Sequence, residues 1–137
     1  MQHFKRIITW VLVIIIAVAV VISFRPRETV VLPDGLSILF WHPEIRCERC
    51  RKMERLLHES LHGYDHVRLF ELEWDVLANQ SLARQFNVGT ATIIFVERRN
   101  GENVRIRDLT TEVWENIRAE DDVFAAMLRK ELKAFFD

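Results

Sequence analysis

Cys47 and Cys50 are the only cysteines in the chain, with Glu48 and Arg49 between them. Two thiols at that spacing can exchange electrons with another disulfide, close an idle cross-link, or hold a soft metal. If the pair opens a helix, the two residues nearly complete one turn and their sulfurs can meet. The unpaired backbone N–H groups of a helix start would then stabilise a thiolate on the first of them. This makes Cys47 the nucleophile and Cys50 the resolving thiol that releases a mixed disulfide. Arg46 and Arg49, with Arg51 and Lys52, bring positive charge that further favours the thiolate, and Glu48 partly opposes them.

Other chemistries are narrower. Two cysteines exclude a multi-disulfide framework and a four-cysteine zinc site within one chain. A dithiol that binds zinc or arsenite needs a further ligand, from a substrate, a second chain or His42. His58 and His62 have the i, i+4 spacing of a helical metal pair. His58, however, falls two turns beyond Cys50, and beside Glu54 and Glu59 a solvated polar face is the better reading, so no metal site is assigned. No G-x-G-x-x-G fingerprint for a flavin or nicotinamide occurs, and no cofactor is expected. The chain carries 19 Lys+Arg against 20 Asp+Glu, with no long basic run, which argues against a nucleic-acid partner.

The elements around the pair follow from periodicity. Leu36 to Trp41 (LSILFW) is a short apolar run of the kind buried on both faces of a sheet. Between Cys47 and His62, Met53, Leu56, Leu57 and Leu61 form one face of an amphipathic helix that stops at Gly63. Val67 to Trp74 alternates, with Phe70, Leu72 and Trp74 opposite Glu71 and Glu73, as an edge strand does. A short helix with Leu77, Leu82 and Phe86 inward follows. Thr92 to Val96 and Asn103 to Arg107 then read as a hairpin around Asn100-Gly101. Thr111 to Arg118 is a short helical piece. Asp121 to Phe136 is a helix with Val123, Phe124, Met127, Leu128, Leu132 and Phe135 on one face, acids at its start and lysines toward its end. Strand, helix, strand, helix, hairpin, helix, with a right-handed crossover, predicts an α/β domain: a four-stranded mixed sheet with flanking helices.

Before this domain, Ile7 to Phe24 is an uncharged apolar stretch flanked by Lys5 and Arg6 on one side and Arg25 and Arg27 on the other. It reads as one N-terminal transmembrane helix, with a cleaved signal peptide as the alternative, since Ala17-Val18-Ala19 offers a small-x-small site. The expected organisation is thus 1–24 anchor, 25–33 tether and 34–137 domain, the last lying outside the cytoplasm in the periplasm.

The order of elements, the CxxC after the first buried strand, and the entry to the hairpin through Val88-Gly89-Thr90-Ala91-Thr92 resemble the thioredoxin-like superfamily over Asp34 to Asp137. More narrowly, RCERCRKME, ELEWDV, a charged hairpin and a Val-Trp-Glu segment before the last helix resemble the thioredoxin-like family of nitrophenyl compound nitroreductase subunit ArsF. The superfamily resemblance implies a thiol-disulfide oxidoreductase acting on protein thiols or disulfides, which the N-terminal apolar segment would hold at a membrane. It implies that Thr90 and Ala91 face the pair at the substrate-binding position, with Ala91 where relatives carry a cis-proline. A cis bond before alanine costs about 3 kcal/mol, so a trans bond is expected. It also implies Leu39 where thioredoxins bury an aspartate beneath the cysteines, with Glu71 as the nearest substitute. Two further readings stay open: a dithiol for a soft metal or metalloid, and an interaction module without turnover.

Overall fold

A computed structural model describes residues 1–23 and 30–137, with the side chains of residues 2–5 and 21–23 left aside. The first helix, α1, covers Gln2–Ser23. Among the described residues no helix is long and apolar enough to cross a membrane. The expected spanning helix is therefore not found there. That expectation ran to Phe24, which lies outside the described residues, as does most of the expected tether.

The remaining elements form one sheet with helices on both faces. In chain order they are β1 Gly35–His42, α2 Glu48–Ser60, β2 Arg68–Glu73, a 3-10 turn at Leu77–Asn79, α3 Gln80–Gln85, β3 Thr92–Arg99, β4 Glu102–Asp108, α4 Thr110–Asn116 and α5 Asp121–Phe136. The strand order is β2-β1-β3-β4, with β1 and β2 parallel and the other two pairings antiparallel. This is the expected mixed sheet, with β2 at one edge.

Strand parity divides the core in two. Ile38, Phe40, Ile93 and Phe95 face α2 and α5, where they meet Met53, Leu57, Phe124, Leu128 and Leu132. Leu39, Trp41, Ile94 and Val96 face the other way, toward Leu32, Ala83 and Phe86. Nearly all of these side chains are fully buried, and each contributes roughly 1.5–3 kcal/mol of apolar transfer. The hairpin turns on Asn100 (φ 53) and Gly101 (φ 78), the left-handed pair a tight β-turn needs. Asp34, read from the sequence as the start of the domain, accepts the backbone N–H groups of Asn100 and Gly101 at 2.8 and 2.9 Å. It thereby fastens the start of β1 to the hairpin tip.

Two inward assignments are corrected. Leu77 is 71% exposed, because the 3-10 turn rotates it away from the sheet before α3 begins. Val123 is 46% exposed at the first turn of α5, and Ala125 is buried instead.

Candidate functional site

β1 ends in a connection, His42 to Arg46, that delivers the chain to α2 above the sheet. Both ends of this connection are held. The Glu44 backbone N–H donates to Asp75 Oδ1 at 2.8 Å. Arg46 donates to Glu54 on α2, to Glu71 on β2 at 3.2 Å, and contacts His42 Nε2 at 3.2 Å. The buried His42 ring is further joined to the Pro43 carbonyl through Nδ1 at 2.8 Å. The sequence suggested Arg46 as a cation beside the thiol. The structure places its guanidinium between two carboxylates.

Cys47 is the N-cap of α2, with extended backbone (φ −82, ψ 167). Its sulfur accepts the Cys50 N–H at 3.4 Å, the bond a capping serine makes. Its carbonyl accepts the Arg51 N–H at 3.1 Å. Cys47 is exposed, Cys50 is 1% exposed, and both are free thiols with their sulfurs 2.8 Å apart.

These positions separate the two acidities. Burial pushes the Cys47 thiol up, but the Cys50 side-chain hydrogen bond and the amides of Cys50, Arg49 and Cys47 outweigh it, so it lies below the ordinary thiol value. Burial and the hydrogen bond with Cys47 push Cys50 above that value. The lowering thus has two sources, the Cys50 thiol first and then the helix start, whose amide donors have no i−4 carbonyl and converge on the sulfur. Arg49 lies beside the pair with its guanidinium 6.0 Å from the Trp114 ring centre.

The segment before β3 closes the other side. Ala91 is buried in the same core cluster as Cys50, and Thr90 beside it is half-buried. No cis peptide bond occurs among the described residues, so Thr90-Ala91 is trans. The Trp114 indole N–H donates to the Ala91 carbonyl at 3.0 Å. Arg49, Trp114 and Ala91 therefore link the cysteine motif, α4 and the entry to β3. The aromatic type of Trp114 was visible in the sequence, but this link crosses elements far apart in the chain.

Leu39 belongs to the core on the opposite face of the sheet from Cys50. It does not lie beneath the pair, because its neighbours Ile38 and Phe40 hold that face. Glu71 is on the α2 side, yet it is taken up by Arg46 and by His58 Nε2 at 2.8 Å. Glu54, His58 and Glu71 offer ligand atoms within 4.8 Å of one another, and Arg46 already pairs with both carboxylates. Among the described residues this is the one such group. It contains neither cysteine, and His42 does not complete a three-ligand set with them. His58 thus pairs across to β2 and not with His62.

No family model matches the chain, and no curated protein matches it. Solved structures do. Thioredoxin O2 from Arabidopsis thaliana in its oxidised state is 13% identical with a TM-score of 0.52, covering 76% of this chain and 77% of that one. Mitochondrial thioredoxin 3 from Saccharomyces cerevisiae, oxidised, is 15% identical with a TM-score of 0.44, covering 60% and 74%. A protein called Trxlp from Edwardsiella tarda is 20% identical with a TM-score of 0.45, covering 69% and 82%. On the first of these likenesses, together with the sheet order and the position of the cysteine pair, the chain has a thioredoxin-like fold.

Proposed function

We propose that this chain is a thiol-disulfide oxidoreductase that acts on protein thiols or disulfides through Cys47 and Cys50. The observation that carries the reading is the cap of α2: an exposed sulfur held below its ordinary pKa, 2.8 Å from a buried second sulfur. In the reducing direction the Cys47 thiolate attacks one sulfur of a substrate disulfide, and the other sulfur leaves as a thiolate. The Cys50 thiol then loses its proton, attacks Cys47 Sγ and expels the remaining substrate thiolate. Two electrons pass to the substrate, and the chain is left with an internal disulfide. The side chains clustered around Cys50 are apolar, so resolution is the step that burial slows.

Thr90 and Ala91 are the substrate-side backbone in this reading. Its support is the shared cluster of Ala91 with Cys50. Arg49, which no carboxylate engages among the described residues, is proposed to add to the thiolate's stability through charge, whereas Arg46 is taken up by Glu54 and Glu71 and holds the connection before Cys47. The narrower relation to the ArsF family rests on the RCERCRKME and ELEWDV segments alone.

The proposal includes the anchor and an extracytoplasmic site. The anchor is supported by Trp10 to Ile16, where every side chain is apolar and 49–68% exposed. Seven successive residues cover the full circumference of a helix, a surface suited to lipid and costly in water. Protease added to intact spheroplasts should digest Asp34 to Asp137. Protection until lysis would overturn the location and leave the chemistry standing. The chemistry is tested by equilibrating the full chain in detergent with glutathione redox buffers. A potential between about −120 and −270 mV is expected for a working pair, and a value below about −300 mV would mark an inert cross-link.

A further inference from the structure

A groove of about 620 Å³ opens beside the cysteine motif, between the first two turns of α2 and the junction of α4 with α5. Its first lining residues, Glu48 and Arg49, are those between the two cysteines. Its walls carry Arg49, Arg51, Lys52, Arg55 and Arg118 against only Glu48 and Asp121. Asp121 is already spent on Lys52 and Arg55, at 3.1 and 2.6 Å. Lys52 also donates to the Ala119 carbonyl at 2.6 Å, which holds this wall in place. The guanidinium groups of Arg51 and Arg118 have no partner among the described residues, and Arg49 has only the Trp114 ring. Three cations thus face the groove without a carboxylate, against the single unpaired Glu48. The surplus is local, since the chain as a whole is near neutrality.

We infer that this groove receives an acidic segment of the protein whose disulfide or thiol reacts at Cys47. The inference rests on the oxidoreductase reading and names the class of partner for that same site. Along α2 the groove runs from Arg49 to Arg55, about 9 Å at the helical rise, which matches about three residues of extended chain. That length suits a peptide lying alongside the helix while its cysteine sits at the N-cap. Glu48 stands next to the reacting sulfur and Arg51 and Arg118 stand farther off. The partner's acids therefore belong two to four residues from its cysteine and not directly beside it. Charge complementarity of this kind acts mainly on encounter rate and choice of partner, and it weakens with salt.

The test uses the reduced full chain in detergent and synthetic peptides, each with one cysteine joined to 5-thio-2-nitrobenzoate as a mixed disulfide. Cys47 attacks the nitrobenzoate disulfide and Cys50 resolves the product. The coloured thiolate leaves as Cys47 forms a mixed disulfide with the peptide, and Cys50 then expels the peptide thiol as the reduced pair becomes a disulfide. Peptides carry Glu, Gln or Lys at the second to fourth positions from the cysteine. The Glu peptide should react roughly tenfold faster than the Gln peptide at low salt, with the Lys peptide slower still, and the spread should collapse near 0.5 M salt. In Arg51→Gln/Arg118→Gln the ratio of Glu to Gln rates should fall to about one to threefold. Equal rates for the Glu and Gln peptides in the unmodified chain would overturn the acidic partner while leaving the oxidoreductase reading intact. Faster reduction of glutathione disulfide than of the Glu peptide, lost in the same double variant, would assign the groove to a small anionic thiol and overturn the protein partner. A chain that reduces none of the peptides overturns both readings.

Discussion

The indole N–H of Trp114 donates to the carbonyl of Ala91 at 3.0 Å, tying α4 to the residue that precedes β3 on the side of the buried cysteine. Trp114 is half-buried, so the bond is partly shielded from water. Trp114→Phe keeps most of the packing and removes the donor. It should cost about 1 kcal/mol in urea denaturation, with little change in slope. An unaltered midpoint would mean that water replaces the indole without cost.

The face of α5 gives a paired stability prediction. Leu128 is fully buried against the sheet, whereas Val123, five residues earlier, is 46% exposed. Leu128→Ala should destabilise by about 2–5 kcal/mol, and Val123→Ala by less than about 0.5 kcal/mol, with alanine's better helix propensity acting in its favour. Comparable losses at the two sites would place Val123 in the core after all.

Glu71 predicts an acid-side dependence. Burial pushes its carboxyl up, but hydrogen bonds from His58 and Arg46 and their charges outweigh this, so it sits below its ordinary value. A carboxylate depressed in the folded state stabilises the protein above its unfolded pKa of about 4.3, and that contribution is lost as pH falls through the folded value. Denaturation midpoints of the unaltered chain should therefore drop more steeply below about pH 4.5 than those of Glu71→Gln. Parallel curves would show that the contacts with Arg46 and His58 are screened by water.

Local patterns carried much of this fold. The ends of α5 are where the Asp121-Asp122 start and the Lys133 turn put them, and the hairpin closes on the Asn100-Gly101 pair. Alternation in Phe70 to Glu73 identified an edge strand, as β2 is. Relations set by tertiary packing were not legible. Leu39 was placed beneath the cysteines by the resemblance to thioredoxins, but the face of a strand is decided by parity against its neighbours, and parity puts Leu39 on the far side. Arg46 read as a free cation because its partners Glu54 and Glu71 come from two other elements, the latter 25 residues away. The helical moment of the segment after Val76 could not reveal that its first turn is 3-10 and swings Leu77 into solvent. The N-cap position of Cys47, by contrast, was implicit in the CxxC at the strand-to-helix junction.

The central claim is that Cys47 attacks and Cys50 resolves, and the pH dependence of alkylation in single-cysteine chains tests it most directly. In Cys50→Ser the serine hydroxyl can still donate to the sulfur, whereas in Cys50→Ala that bond is lost and only the backbone donors remain. Cys47 should therefore react with iodoacetamide with an apparent pKa below the ordinary thiol value of about 8.5 in Cys50→Ser, and a higher one in Cys50→Ala. Cys50 in Cys47→Ser, still buried, should react slowly and titrate above that value. Indistinguishable pH profiles and rates for Cys47 and Cys50 would contradict the assignment of attacking and resolving thiols.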